Sequence, residues 1–402
     1  MTTARTATPS TARAINDRLA LNLLLEHGPL TATELRGLTG LSRPTVADLL
    51  ERLQRGGLVA VVGERGEQRR GPNARLYALV ASRAHLGAVD VRSGGVSLVV
   101  ADLAGHTLAT AELAVEGRGD DRTAARIVRA LLDTARQAGV ERLHTVAVGA
   151  PGLVDPATGR LHSTGALPGW HAELLAALRA LPETDVILEN EVNLAGRAEY
   201  RVGAAQGQDT FVLIWLGHSV GAAVIIDGRL RRGASGGTGE ICFLPVPGTD
   251  QLPTATGCEG GFHSLVGSAA ICELARAHGL PVPPGDAAAD DGAPAAEAAV
   301  RAALGALADG GPGGPFLDEL AGRIAVGAAA VCVVLDPGCV VLGGEIGRAG
   351  GTELARRVEQ RLAVLSPLRT EVRAGTAGGG AVLAGAVLTA GDAVRRDLFG
   401  EP

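Results

Sequence analysis

The run Ser42–Arg43–Pro44–Thr45–Val46–Ala47–Asp48 opens a segment whose polar residues are of the kinds that touch nucleic acid. Arginine pairs with guanine edges and with phosphate, and short hydroxyl and carboxylate side chains complete such contacts. Ser42, Arg43, Pro44, Thr45, Asp48 and Arg52 therefore form a candidate DNA-facing set. Four more arginines follow: Arg65, Arg69 and Arg70 lie within the polar stretch 63–73, and Arg75 lies just after it. Arginines clustered on a loop suit phosphate contact or entry into a minor groove. A solvated charged loop is the alternative for that stretch.

Two helices joined by a tight turn would position the first set. Thr31 and Glu34 have the spacing of a capping box, in which each side chain satisfies one orphan backbone N–H. Leu35 and Leu38 then supply an apolar face, and Gly40 suits the left-handed residue at a helix end. Ser42 is an N-cap residue for the second helix, with Pro44 in its first turn. Val46, Leu49, Leu50 and Leu53 recur at helical spacing. This is the pattern of a helix-turn-helix, whose second helix enters the major groove. An ordinary helical hairpin in a core is the alternative, and the flanks weigh against it. Ile15, Leu19 and Leu23 mark a preceding helix ending near His27–Gly28, after a Thr/Ala/Arg-rich stretch, 1–13, expected to be disordered. Strands at 58–62 and 75–79 flank the basic tip, which predicts a winged helix-turn-helix.

Charge divides the chain in the same place. Of 37 basic residues, all Arg, and 43 acidic ones, the first 80 residues hold 11 and 7, leaving 26 and 36 for the rest. A basic end on an acidic body fits a DNA-reading head attached to a domain with no use for phosphate backbones. Hydrophobic residues make up 46%, enough for a substantial core, while aromatics are only 2%, so Ala and Gly fill much of the volume. The length of 402 residues suggests two or three domains. No apolar run reaches the ~18–20 residues of a membrane span, and the start of the chain shows no hydrophobic leader. Five scattered cysteines make no disulfide framework, so a cytoplasmic location is expected.

From Arg83 onward short apolar strands alternate with helices, the pattern of an α/β domain. Hairpins at 85–102 and 211–227 open two similar sets of elements, which predicts two lobes with a cleft between them. The expected organisation is a head over 1–80 and a body over 81–402, with lobe 1 at about 81–205 and lobe 2 at about 206–380. The final small-residue helix would return to lobe 1. Segments 281–296 and 309–315 are rich in Pro, Gly, Ala and Asp and read as loops.

Along this body the motifs APGLVD (150–155), GW (169–170), ENEVN (189–193), DGRLRRGASGGTGEI (227–241), LDPGCVVLGGEI (335–346) and GGGAVLAGAV (378–387) follow one another. In this order, behind a winged helix, they resemble the ROK family of bacterial sugar kinases and sugar-responsive repressors. The resemblance covers nearly the whole chain. It implies an actin-like, two-lobed body with sugar and nucleotide sites in the cleft.

The resemblance also marks where this chain departs from kinase chemistry. The kinases resemble D-x-G-G-T-K at the first hairpin, where glycines let backbone N–H groups approach ATP phosphates and the Asp organises Mg²⁺. Here Asp90 stays, but Arg92 and Ser93 stand at the glycine positions. A second phosphate loop resembling G-T-G-x-G-G-G reads Gly217–His218–Ser219–Val220–Gly221–Ala222–Ala223, again with side chains where close backbone approach is needed. Arg92 is expected to fill the old phosphate space, and Mg-ATP is not expected to bind.

The resemblance implies sugar contacts from Gly152, Asn190, Glu191, Glu240 and Phe243. Glu191 stands at the catalytic Asp position, its carboxylate displaced by about a bond length, and a ~1 Å displacement can cost roughly a hundredfold in rate. Phe243 stands where the family has a His, offering a ring face instead of a polar contact. A simpler role for Asn190 and Glu191 is to cap the following helix. The family's Cys-rich zinc motif is reduced to Cys258, and Cys242 and His263 have no spacing that demands a metal, so no zinc is expected. The resulting expectation is a DNA-binding regulator, repressing carbohydrate-related genes under control of a sugar, without enzymatic activity. It would act on operator DNA as a homodimer or higher oligomer. A sugar kinase with a DNA-binding head, and a regulator whose cleft binds nothing, are the alternatives.

Overall fold

The computed structural model describes residues 9–65, 74–92, 94–115, 120, 122–162, 170–255, 257–283, 295–307 and 311–399. Arg69, Arg70 and Ser93 lie outside the described residues.

The head runs α1 (Pro9–His27), β1 (Leu30–Thr31), α2 (Ala32–Thr39), α3 (Arg43–Arg55), β2 (Val59–Arg65) and β3 (Ala74–Leu79). Leu35 from α2 and Val46, Leu49, Leu50 and Leu53 from α3 are buried together with Ala20, Leu21 and Leu24 of α1. Three details differ from the sequence expectation. Residues 9–13 belong to α1 rather than to a disordered arm. The buried stripe of α1 is Ala20–Leu21–Leu24, whereas Ile15 and Leu19 face solvent; periodicity alone admits either stripe, and packing against α3 chooses. Leu38 of α2 is likewise exposed. The two-residue β1 pairs with β3, giving a three-stranded sheet in the order β1–β3–β2.

The body begins with β4 (His85–Arg92), β5 (Gly95–Asp102) and β6 (Thr107–Ala114), then α4 (Thr123–Gln137) and β7 (Thr145–Ala150). A small hairpin, β8 (Leu153–Val154) and β9 (Leu161–His162), precedes α5 (Trp170–Arg179), β10 (Asp185–Asn190) and α6 (Glu191–Val202). The next set is β11 (Phe211–Leu216), β12 (Val220–Ile226), β13 (Arg229–Arg231), α7 (His263–Val266), α8 (Ser268–Ala277), α9 (Ala295–Gly305) and α10 (Gly313–Leu335). It ends with β14 (Cys339–Gly343), α11 (Gly344–Leu365), β15 (Glu371–Ala374) and α12 (Ala381–Phe399).

The two central sheets share one topology. The first is ordered β10–β7–β4–β5–β6 and the second β13–β12–β11–β14–β15. In each, three antiparallel strands form a meander, and the first of them continues into two parallel strands. Parallel pairing requires helical crossovers, so both faces of each sheet are covered and the central strands are mostly apolar. β7 and β14 are entirely buried.

α6 and α12 pack together, and α12 also lies against β4 and β7. Gly385 of α12 permits this crossing: a Cβ there would sit 1.9 Å from the Leu194 carbonyl oxygen of α6. The helix pair therefore fixes where α6 begins, and α6 begins at the cleft.

Candidate functional site

The exposed side of α3 carries the first candidate set. Ser42 caps the helix, its Oγ accepting from the Thr45 N–H at 3.4 Å and sharing a 2.8 Å hydrogen bond with Thr45 Oγ1. Pro44 occupies the first turn, where no N–H is missed. Ser42, Arg43, Pro44, Thr45 and Asp48 are all exposed, while the opposite face is sealed in the head core. Arg52 departs from its expected place on the DNA side. Its Nε donates to Asp17 Oδ2 of α1 at 3.0 Å, its Nη2 lies 2.5 Å from Asp17 Oδ1, and it also pairs with Asp48. Acids on both sides convert Arg52 into a strut between α1 and α3, and Asp17 gave no sign of this in the local spacing. Arg75 is exposed on β3. Arg65 is exposed on β2 and pairs with Glu34. The Thr31 N–H donates to that Glu34 carboxylate at 2.8 Å in the capping box, and these contacts hold it below its usual range.

The second set meets where the two sheets face each other. Asp90, near the end of β4, is buried and accepts from Arg92 Nε at 2.7 Å. The same guanidinium donates to the Gly379 carbonyl at 3.3 Å and lies 3.7 Å from Glu345 at the start of α11. Glu345 in turn rests over the β11–β12 turn, its Oε2 only 2.7 Å from where a Cβ on Gly217 would stand. Arg92 and Glu345 thus occupy space between the two loops that correspond, by the family resemblance, to the kinases' phosphate loops. Burial pushes both Asp90 and Glu345 upward, and the charge of Arg92 opposes the rise in each.

Asn190 is fully engaged in local structure. Its Oδ1 accepts from the Val192 and Asn193 N–H groups at 2.9 and 3.2 Å, and its Nδ2 donates to the Gly152 carbonyl at 3.1 Å. The helix-capping role is therefore realised, and it ties α6 to the loop after β7. Glu191 lies in the first turn of α6 with Oε2 buried and unpartnered among the described residues. Burial pushes its carboxyl up to about 8, and the nearby charges of Asp90, Glu240 and Glu345 add to the rise.

Glu240 arrives from the other lobe on the loop 232–240. Gly236, at φ 82°, passes so close to lobe 1 that a Cβ would sit 2.1 Å from the Val154 carbonyl oxygen. Gly239, at φ 94°, approaches Ala222 O equally closely, so both positions exclude a side chain and permit the left-handed backbone. Cys242 Sγ donates to Glu240 Oε2 at 3.7 Å, and burial raises the Glu240 carboxyl. Phe243 packs against the lobe 2 core, which removes part of its ring from the role of a sugar platform.

Two acids escaped the sequence reading, Glu189 inside the quoted motif 189–193 and Glu199 outside every quoted motif. Glu189 is buried and binds Arg232 across the lobes at 2.6 Å, while its other oxygen accepts from the Asn190 N–H and Asn193 Nδ2 at 3.0 Å. Glu199 accepts from the Ala204, Thr376 and Ala377 N–H groups at 2.7, 3.1 and 2.9 Å, holding the loop before α12. An acid one place before an Asn cap was the available signal for the first; the second had none.

Cys242 and Cys258 lie side by side with burial raising both thiols, but His263 is half-buried, with its Nδ1 buried and unpartnered among the described residues. Among the described residues no three His, Cys, Asp or Glu side chains gather for a metal, where a structural zinc takes four ligands.

A winged helix joined to two lobes of matched topology defines an α/β protein with a DNA-binding type of head and a sugar-kinase-like, actin-type body. Residues 86–392 match the ROK family, and the chain belongs to it. Residues 15–71 match the MarR family. The xylose repressor of Bacillus subtilis is 22% identical over 237 residues, covering 58% of this chain and 61% of that one. The dual regulator NagC of Escherichia coli is 23% identical over 242 residues, 58% of each. A glucokinase of Halalkalibacterium halodurans is 26% identical over 226 residues, 52% of this chain and 63% of its own. The matches thus span about three-fifths of the length of these relatives. Among solved structures, a ROK family transcriptional regulator homologous to the E. coli MLC protein superposes with a TM-score of 0.74 at 20% identity, covering 96% of this chain and 98% of that one. A ROK glucokinase from Streptomyces griseus, with glucose and AMPPNP bound, gives 0.60 at 24% identity over 76% and 99%. No described helix is long and apolar enough to cross a membrane.

Proposed function

We propose that this chain is a DNA-binding transcriptional regulator, a repressor controlled by a sugar held between its two lobes, and that it has no kinase activity. The observation that carries the regulator reading is the head: a capped α3 with Ser42, Arg43, Pro44, Thr45 and Asp48 exposed, and Arg65 and Arg75 at the base of the wing. Arg43 is the base reader on this view, and Arg65 and Arg75, with Arg69 and Arg70 between them in sequence, contact phosphate. The operator is bound by a homodimer, since two-fold sites call for two heads. Likeness of fold to a ROK family transcriptional regulator over 96% of this chain, head included, supports the same reading.

The absence of kinase activity is supported by Arg92 and Glu345. Asp90, the residue that would organise Mg²⁺, is already neutralised by Arg92, and Glu345 stands against Gly217. The residues present therefore do not fit Mg-ATP, and the thiol pair does not fit zinc. Glu191, Glu240 and the Gly152–Asn190 corner are the sugar-facing groups, with Phe243 at the margin. The sugar acts by binding one lobe arrangement more tightly than another, because equal affinity shifts no population.

The test is binding of the purified chain to DNA fragments from around its own gene, with excess random competitor, at two salt concentrations. Retention in the presence of competitor, weakened by salt as phosphate contacts demand, is the expected result. No retained fragment removes the regulator reading, and sugar-dependent ADP production removes the non-kinase one.

A further inference from the structure

We propose that this chain pairs with a second copy of itself through the end of lobe 2 remote from the cleft, where α10 and α11 finish. This gives the homodimer reading above, on which it rests, a particular face. Its first support is α10. From Ile324 to Leu335 the helix carries no charged side chain and no polar one apart from a cysteine thiol. Val326, Ala330, Val333 and Val334 lie on one face at i, i+4, i+7 and i+8, half-buried at the first two and exposed at the last two. A surface helix turns polar residues to water, whereas one that is apolar all round is a covered helix.

The second support is where α11 ends. β14 and β15 are parallel, with Cys339 opposite Glu371, and the Glu371 N–H donates to the Gly338 carbonyl at 3.0 Å. The ends of α10 and α11 each lead into one of these strands, so both lie at the same edge of the sheet. Val333 and Val334 are 59% and 79% exposed, and Val364 and Leu365 of α11 are 83% and 51% exposed. These four side chains alone present roughly 450 Å² of apolar surface, the size at which a patch marks a contact site. The exposed Ala363 and the half-buried Leu335 and Leu368 extend it toward the ~800 Å² that each partner of a stable pair buries.

The third support is the charge on the rim, which selects the occupant. Asp336, exposed at the C-cap of α10, and Arg361 and Arg369, exposed around the end of α11, form no ion pair among the described residues, whereas neighbouring Arg373 and Glu371 pair with each other. A two-fold axis through the apolar centre lets the acid of each copy meet a base of the other. A membrane surface calls for bases alone. The position also suits regulation. The head packs on lobe 1, where α1 meets α12 and the Leu103 N–H donates to the Ala81 carbonyl at 3.0 Å. The two heads of the pair are thus joined through both lobes of each chain, so a change in lobe arrangement alters their spacing.

The experiment is sedimentation velocity of the full-length chain over a dilution series, with oxidative footprinting of the same samples. The wild type is expected at the mass of two chains. In that pair Val333, Val334, Val364 and Leu365 should be oxidised at least about threefold more slowly than Val202 and Leu252, which are 58% and 73% exposed elsewhere on the body. Val334→Arg combined with Val364→Arg, at positions open to water, should weaken pairing by at least about a hundredfold while leaving the urea midpoint unchanged. A monomer at every concentration, a variant that pairs as tightly as the wild type, or a pair whose four side chains react as fast as Leu252 overturns the proposal. Operator retention is measured in parallel. A pair formed this way that retains no operator removes the regulator reading and leaves the pairing in place, whereas a wild-type chain that retains operator without pairing removes the pairing alone. The wild-type footprint decides the face even where the double variant does not fold.

Discussion

Glu191→Gln should make the body of this protein more stable at pH 8 than the wild type, and the advantage should vanish at pH 5. The carboxyl is raised from 4.5 to about 8 in the folded chain, chiefly by burial. An acid whose folded pKa lies above its unfolded one binds more protons in the folded state between those values, so stability falls as pH rises through that window. At 1.36 kcal/mol per pH unit the ceiling is about 5 kcal/mol. Solvent reaches part of the residue, and lobe relaxation screens it further, so ~2–4 kcal/mol is the expected loss between pH 5 and 8. Gln keeps the shape without a charge to bury. The assay is urea unfolding at pH 5, 6, 7 and 8.5, read by fluorescence of the two tryptophans, Trp170 and Trp215. A gap between wild type and variant that stays constant over that range would refute the claim that Glu191 is a buried acid with a raised pKa.

Further expectations concern the head and the helix crossing. Arg43→Ala should weaken operator binding by ~1–3 kcal/mol while leaving random DNA less affected, measured by competition; equal losses on both would reduce Arg43 to a phosphate contact. Arg52→Ala should destabilise the head by about 1–2 kcal/mol through loss of the partly buried Asp17 pair, seen in thermal unfolding. Affinity per folded molecule should change less than about threefold, and a tenfold loss at unchanged stability would restore Arg52 to the DNA interface. Gly385→Ala should cost ~1–3 kcal/mol or more, because the methyl meets the Leu194 backbone, which cannot step aside as a side chain would. A silent Gly385→Ala in urea unfolding would mean that α6 and α12 are free to separate.

Local rules made the head legible. The Thr31–Glu34 capping box, the Gly40 C-cap at φ 70° and the Ser42 N-cap all formed as their spacing required. Each is a contact within four residues, so its physics is contained in the sequence window. The strands at 145–148, 186–188 and 339–342 were legible for a related reason: a parallel strand covered on both faces is a continuous apolar run. α11 was not legible. Its glycines, among them Gly344, Gly347 and Gly350, lower helix propensity, yet Ile346, Leu354, Val358 and Leu362 are buried. Packing against α10 outweighs the local preference except at Gly351, where the backbone leaves helical geometry at φ 54° and ψ −152° and kinks the helix.

What the sequence determined by itself was therefore the list of elements held by short-range hydrogen bonds and unbroken apolar runs, together with the excess of arginine at one end. Which charges neutralise each other was decided only in three dimensions. Arg52 finds Asp17 at a separation of 35 residues, Arg232 finds Glu189 at 43, and Arg92 reaches Gly379 at 287. An arginine has the same reach whether its partner is a phosphate, a base or a carboxylate from a distant strand. Folding brings the carboxylate first, and Glu191 and Glu240 are the cleft acids left without an arginine ion pair among the described residues.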